Sequence, residues 1–199
     1  MKNAMITNNE QTNESLRALL LGAGNLLFLL QQLENVVRLC CAFLQIKGIQ
    51  ITVDDIFSEE PKKGFDTLGK ILRTMKEPMG FNQSFQQQLD TFITHRNTFI
   101  HDYWPNIGIY SLDEPIDKAT FQKIATFEET LYSETIYMTQ VFIGLHYSIG
   151  ALLASREGKT NEFEVDPEYE KMKEFAPMFL LVLENEQISP LDGIAHKLR

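Results

Sequence analysis

A chain of 199 residues, 44% of them apolar and 23% charged, is long enough to bury a sizeable core and has the composition of an ordinary globular protein. Its net charge of −9 argues against tight, non-specific binding to nucleic acid, because proteins that bind in this way present a basic surface. Residues 61–104 carry a net positive charge, with 6 basic and 4 acidic side chains, whereas residues 1–60 and 105–199 are both net negative.

The first predicted element is a long helix from about residue 13 or 14 to Lys47, which follows a polar stretch that we expect to be frayed. Gly48 is placed to terminate this helix. Two apolar stripes cover more of its surface than one partner helix requires, which predicts either two flanking helices or a subunit interface. The first stripe consists of Leu16, Leu20, Ala23, Leu27, Leu30, Val37, Cys41 and Leu44, and the second of Leu19, Leu26, Leu33 and Cys40.

No segment is predicted to be a membrane span or a signal peptide. The apolar stretch from Ala18 to Leu30 is interrupted by Gly22 and Gly24, and it ends before the roughly 18–20 residues that a span needs. It also begins too far into the chain for an ordinary signal peptide. The only cysteines, Cys40 and Cys41, are adjacent and suit neither a mutual disulfide nor a metal site. These features together predict a cytoplasmic protein.

A second, shorter helix is predicted after an irregular connection at residues 49–64. It runs from about Phe65 to Lys76 and carries its apolar side chains on one face. Pro78 and Gly80 are expected to end it.

The third helix should begin near Asn82 or Ser84, either of which can cap it, and it must stop near Trp104 because Pro105 disfavours helical geometry in the preceding residue. A fourth helix, as long as the first, is predicted from Asp117 to about Glu157. Its apolar side chains recur at spacings of 3 and 4: Phe121, Ile124, Leu131, Met138, Phe142, Leu145, Ile149 and Leu152.

This order of helices predicts an all-α fold, an up-and-down four-helix bundle that occupies residues 13–157. Residues 158–199 should add a C-terminal helix, kinked at Pro177, and a tail. This appendage is either packed on the bundle or used for partners.

The candidate site lies in the third helix, where the sequence from Leu89 to Trp104 reads LDTFITHRNTFIHDYW. At about 100° per residue, Arg96 lies in the middle of an apolar face, where a guanidinium needs either a buried partner or the floor of a cleft. That face consists of Leu89, Phe92, Ile93, Phe99, Ile100 and Tyr103. A polar stripe follows one of its edges and consists of Asp90, Thr94, Asn97 and His101.

These residue types can transfer protons and bind anions. A histidine titrates near neutral pH and can act as base or acid, and an arginine fork can bind two phosphate oxygens. His101 and Arg96 are the candidates for these roles, and Asn97 could orient the imidazole or bind a phosphate oxygen. The histidines of the chain show no metal-binding spacing.

The string RNTFIH, from Arg96 to His101, resembles the R-x4-H motif of HEPN domains, four-helix bundles that carry the motif near the third helix. The stretch is most similar to the HEPN toxins that are paired with a minimal nucleotidyltransferase, in which the motif continues to a tyrosine that Tyr103 matches here. The resemblance implies a metal-independent endoribonuclease without a cofactor, acting as a toxin or phage-defence effector. Arg96, His101 and Asn97 would be catalytic.

The same resemblance implies partners. HEPN ribonucleases typically complete one site from two motifs across a homodimer, and an antitoxin or nucleotidyltransferase could silence the enzyme. Tyr103 would then be the residue that such a transferase modifies.

Structural alternatives remain open for each of these residues. Arg96 could form a buried ion pair with Glu34 or Glu128, each of which replaces an apolar residue in its own stripe. His101 could be an ordinary hydrogen-bonded helix histidine, and Tyr103 a core tyrosine. The alternative functions are a non-catalytic HEPN-like bundle that binds a nucleotide or protein, and a purely structural helical module.

Overall fold

The computed structural model describes residues 2–44, 67–79, 81–103 and 116–156, without the side chains of residues 2–13, 77–78 and 151–156. These ranges contain four α-helices and no strand, so the predicted all-α class is confirmed. The helices are α1 (Lys2–Leu44), α2 (Leu68–Met79), α3 (Gln83–Asn97) and α4 (Lys118–Arg156), and a π-helical turn, Thr98–Asp102, follows α3. The predicted connection at 49–64 and the predicted appendage at 158–199 lie outside the described residues.

Two helix ends differ from the sequence prediction. Helix α1 begins at Lys2, so the stretch that was expected to be frayed is helical. It contains neither glycine nor proline, and each residue added to an existing helix gains a hydrogen bond without a new nucleation cost. Helix α2 continues through Pro78 to Met79, because a proline in the last turn removes one hydrogen bond and leaves no further helix to break.

Two helix starts agree with the predicted caps. Asn82, rather than Ser84, caps α3, since its Oδ1 accepts a hydrogen bond from the Phe85 amide at 2.8 Å. Asp117 caps α4 and accepts from the amides of Ala119 and Thr120 at 2.9 and 3.0 Å. Hydrogen bonds from Thr120, first from its hydroxyl and then from its amide, hold the pKa of the Asp117 carboxyl below its ordinary value.

The helices form two compact units: unit 1 contains Met1–Gln31 and Thr91–Ile136, and unit 2 contains Gln32–Asp90 and Tyr137–Arg199. Each has its own buried apolar side chains. Those of unit 1 are Leu16, Leu19, Ala23, Leu26, Leu30, Phe92, Ile93, Phe99, Tyr103, Ile124 and Leu131. Those of unit 2 are Leu33, Val37, Cys40, Cys41, Ala42, Leu44, Leu68, Ile71, Leu72, Met75, Met79, Phe81, Phe85, Leu89, Met138, Val141, Phe142, Leu145 and Ile149.

All four helices contribute to unit 2. The Cys40 thiol of α1 donates to the Phe142 carbonyl of α4 at 3.3 Å, and the Phe43 and His146 rings lie 5.5 Å apart. The later residue of α1 contacts the later residue of α4, so the two helices run in the same direction in unit 2. In a strictly up-and-down order the first and fourth helices would run in opposite directions. The Cys41 thiol contacts the Met75 sulfur of α2 at 3.4 Å. Burial raises the pKa of the Cys41 thiol to about 12.

The His146 ring predicts how the stability of the fold depends on pH. Its Nδ1 atom is buried without a hydrogen-bond partner in the described part of the chain, and burial lowers its pKa below the ordinary 6.5. The unfolded chain therefore takes up a proton that the folded chain resists. We expect the unfolding free energy to fall as the pH drops below about 6.5, by at most about 1.4 kcal/mol per pH unit for one proton.

Urea unfolding between pH 5 and pH 7.5 measures this effect. His146→Gln should flatten the pH dependence, while Gln122→Ala, at an exposed position without a titratable group, should leave it as in the wild type. Identical slopes for His146→Gln and the wild type would contradict the prediction.

An exposed apolar stripe follows one side of α1 in unit 1. It consists of Leu20 (39% exposed), Leu21 (64%), Leu27 (45%) and Phe28 (60%). At about 100° per residue the stripe is about 120° wide. Leu20 and Leu27 belong to the first predicted stripe, whereas every residue of the second predicted stripe is buried.

Helix α1 also meets the criteria for a membrane span. By length and composition alone the segment Glu14–Leu44 could cross a bilayer, a test that core helices and signal sequences also pass. In this protein Leu26, Leu33 and Val37 of that segment are buried against the rest of the chain.

Candidate functional site

The π-turn changes the register of the site helix immediately after Arg96 and Asn97. Hydrogen bonds in a π-helix join residues five apart rather than four, so each turn takes up an extra residue. Ile100, which a continuous α-helix would bury, is 39% exposed for this reason. Phe99 and Tyr103 keep their predicted burial at 6% and 5%. Single π-turns within helices are frequent at functional sites.

The two named residues of the R-x4-H motif are five apart, the same spacing as the residues that a π-helical hydrogen bond joins. Arg96 and His101 are five residues apart, which places them about 140° apart on a regular α-helix. A turn closed by five-residue hydrogen bonds brings such a pair towards the same side. The π-turn therefore favours the convergence of the two residues that the sequence singles out.

Asn97 holds the Arg96 guanidinium. The Nη1 group of Arg96 donates to the Asn97 Oδ1 at 3.1 Å, and both residues are half-buried. This contact supports a role for Asn97 in orienting the arginine, in addition to the roles considered from the sequence. Of the two carboxylates considered as partners of the guanidinium, Glu34 accepts from Arg38 at 2.5 Å, and Glu128 accepts from the Tyr103 hydroxyl.

His101 is exposed on the outer side of the π-turn, together with Asp102. Within the described part of the chain, no hydrogen bond or ion pair engages its imidazole. An exposed imidazole can reach a substrate and exchange a proton with it.

Tyr103 lies on the inner side of the same turn. Its ring contacts Phe99 edge-to-face at 4.8 Å, and its hydroxyl donates to Oε1 of Glu128. Burial and the Glu128 carboxylate raise the pKa of the tyrosine far above its ordinary value. The geometry is that of the core-tyrosine alternative, and modification of Tyr103 stays a prediction that requires its release from Glu128.

Glu128 of α4 is a residue that the sequence pointed to for a different reason. It was considered as a partner of Arg96, but its carboxylate receives the Tyr103 hydroxyl. Burial raises the pKa of Glu128, and the hydrogen bond from Tyr103 lowers it in part. The interruption of the apolar pattern of α4 at this position was the only signal in the sequence.

His95 forms a second polar contact between α3 and α4 that the sequence did not reveal. Its Nδ1 lies 2.9 Å from both carboxylate oxygens of Glu134, and its ring meets Phe127 edge-on at 5.9 Å. The two partners are 39 residues apart, so no helical spacing could have paired them. These contacts give His95 a structural role between α3 and α4.

No group of three or more histidine, cysteine, aspartate or glutamate side chains within the described ranges could hold a metal ion. The chain matches no protein-family model, and comparison with curated proteins and with solved structures finds no significant match. At this site the described residues place a half-buried guanidinium, which donates to Asn97, and an exposed imidazole on one helical segment.

Proposed function

We propose that this protein is a metal-independent endoribonuclease of the HEPN type, a cytoplasmic toxin or phage-defence effector. The observation that carries the proposal is the π-turn, which presents an exposed His101 five residues after an Arg96 that Asn97 holds in place. The resemblance of RNTFIH to the R-x4-H motif supplies the reaction class, and the geometry of the turn supports it.

In the proposed reaction a base removes the proton of the 2′-hydroxyl, and the 2′-oxygen bonds to phosphorus while the bond to the 5′-oxygen breaks. An acid returns a proton to the departing 5′-oxygen. His101 serves as one of these two groups, and the Arg96 fork stabilises the extra negative charge on the phosphate. The products are a 2′,3′-cyclic phosphate and a 5′-hydroxyl.

Incubation of the purified protein with tRNA and mRNA transcripts tests the proposal. Cleavage should persist in a metal chelator, and mass spectrometry of the fragments should show 2′,3′-cyclic phosphate ends. Absence of cleavage under every condition would refute the ribonuclease and leave a non-catalytic HEPN-like bundle that binds a nucleotide or protein partner. The exposed apolar stripe on α1 favours a protein partner in that case.

A homodimer is part of the proposal, because one motif supplies one histidine while the reaction needs both an acid and a base. The apolar stripe offers the surface for a second copy of the chain, since four large apolar side chains are exposed along two turns of α1. An antitoxin or nucleotidyltransferase that silences the enzyme belongs to the same proposal, with Tyr103 as the predicted site of modification.

The dimer predicts a measurable effect of charge in the stripe. Phe28→Glu should weaken the dimer at least about tenfold, because a carboxylate buried in an apolar interface costs more than about 1.4 kcal/mol. Gln122→Glu, at an exposed position of α4, is the matched control and should leave association unchanged. Sedimentation at micromolar concentration measures the oligomeric state of each variant. A wild type that is monomeric under these conditions would refute the proposed homodimer.

A further inference from the structure

Glu128 lies where three helical segments of unit 1 come together. One carboxylate oxygen receives the hydroxyl of Tyr103, which follows the π-turn of α3. The other faces Gly22 of α1, where an added β-carbon would push the end of the Glu128 side chain aside. The glycine therefore leaves room for the carboxylate, which lies between α1 and Tyr103.

Tyr103 and Phe99 form the inner anchor of the π-turn. Their rings pack edge-to-face at 4.8 Å, and the Tyr103 ring also faces Phe127 of α4 at 6.2 Å. The residues between the two anchors, including His101, are exposed. Phe99 lies within the π-turn and Tyr103 directly follows it, with His101 between them. A shift of Tyr103 would therefore rotate His101 relative to the surface of unit 1.

We propose that Glu128 is a positioning residue for the candidate site: in the space that Gly22 leaves, it holds the Tyr103 hydroxyl and thereby fixes the orientation of the turn that carries His101. This role deepens the proposed function and rests on it for its catalytic consequence. Catalytic side chains depend on such supporting contacts, since a displacement of about 1 Å can cost about 10²-fold in rate.

Substitutions at Glu128 separate positioning from general stability. Glu128→Ala removes the acceptor of Tyr103 and should lower kcat at least about tenfold with little change in KM. Glu128→Gln keeps an acceptor oxygen of the same shape and should retain kcat within about threefold. Glu129→Ala, at the exposed neighbouring position, is the control and should behave as the wild type.

A structural readout makes the inference independent of ribonuclease activity. Amide hydrogen exchange at Thr98–Asp102 should become faster in Glu128→Ala and in Tyr103→Phe, which keeps the ring and removes only the hydroxyl. It should stay at the wild-type rate in Glu128→Gln. If Glu128→Ala does not fold, Tyr103→Phe provides the same test.

Two glycines on α1 provide a matched pair for the same readout. Gly22→Ala should displace the carboxylate and accelerate exchange in the π-turn. Gly24→Ala adds the same methyl group at a position where nothing lies within 4 Å, so exchange in the π-turn should stay at the wild-type rate. The intrinsic helix propensity gained is the same in both, about 1 kcal/mol, so it cancels in the comparison.

Unchanged exchange at Thr98–Asp102 in both Glu128→Ala and Tyr103→Phe would overturn the positioning role, whatever the ribonuclease assay gives. If exchange is faster in these two variants but the wild-type protein cleaves no RNA, the role of Glu128 in holding the turn is supported and the proposed function is refuted. Equal losses of kcat in Glu128→Gln and Glu128→Ala would also overturn the inference.

Discussion

His101→Ala should reduce RNA cleavage by at least about 10²-fold, the loss that is typical when a group that transfers a proton is removed. The unfolding free energy should change by no more than about 0.5 kcal/mol, because His101 is exposed and forms no hydrogen bond with a described residue. The initial rate on one RNA substrate, measured with a chelator present, and a urea unfolding curve together provide the test.

Asp102→Ala is the matched control for this substitution, since Asp102 is the exposed neighbour of His101 in the same π-turn. It should leave both the rate and the stability close to those of the wild type. If His101→Ala cleaves RNA as fast as the wild type, His101 is not the catalytic group, and the polar edge of α3 is a binding or structural feature.

Arg96→Lys should lower kcat by about 10²–10³-fold, the range observed when one preorganised donor to a transition-state oxyanion is lost. The ammonium group of lysine keeps the positive charge, but it lacks the planar fork that binds two phosphate oxygens. It also lacks the Nη1 group that donates a hydrogen bond to Asn97. The expected loss of kcat would therefore show that binding of two phosphate oxygens by the guanidinium matters, and not its positive charge alone.

Arg73→Lys, at an exposed position of α2, provides the control, with no expected change in rate. Arg96→Ala should in addition cost about 1–3 kcal/mol of stability, because the half-buried Asn97 oxygen loses its donor. Full activity in Arg96→Lys would exclude the phosphate-binding role and favour a structural arginine.

Helical periodicity predicted the side chains that are buried far from the π-turn. In α4, Ile124, Leu131, Phe142 and Leu145 were predicted as core residues and are buried, and Asp117 caps the helix as expected. These predictions succeed because burial of an apolar face and capping of a helix end act on residues close in sequence.

The same reasoning failed where the helix changed its register. Ile100 was assigned to the buried face at 100° per residue, and the π-turn exposes it. The sequence of this turn contains no glycine or proline that would have indicated a departure from α geometry. In α1 the pattern left open whether neighbouring helices cover both apolar stripes or part of them forms a subunit interface, and the structure leaves Leu20 and Leu27 exposed.

By itself the sequence determined the helical class, the helix caps and the set of residues at the candidate site, since all of these depend on local spacing and side-chain chemistry. Only the tertiary structure decided that Glu128 receives the Tyr103 hydroxyl, that His95 pairs with Glu134, and that His101 faces outwards. Hydrogen bonds between helices depend on how the faces of distant segments are rotated against each other. That rotation is set by packing and by the extra residue in the π-turn, neither of which a repeat of 3.6 residues encodes.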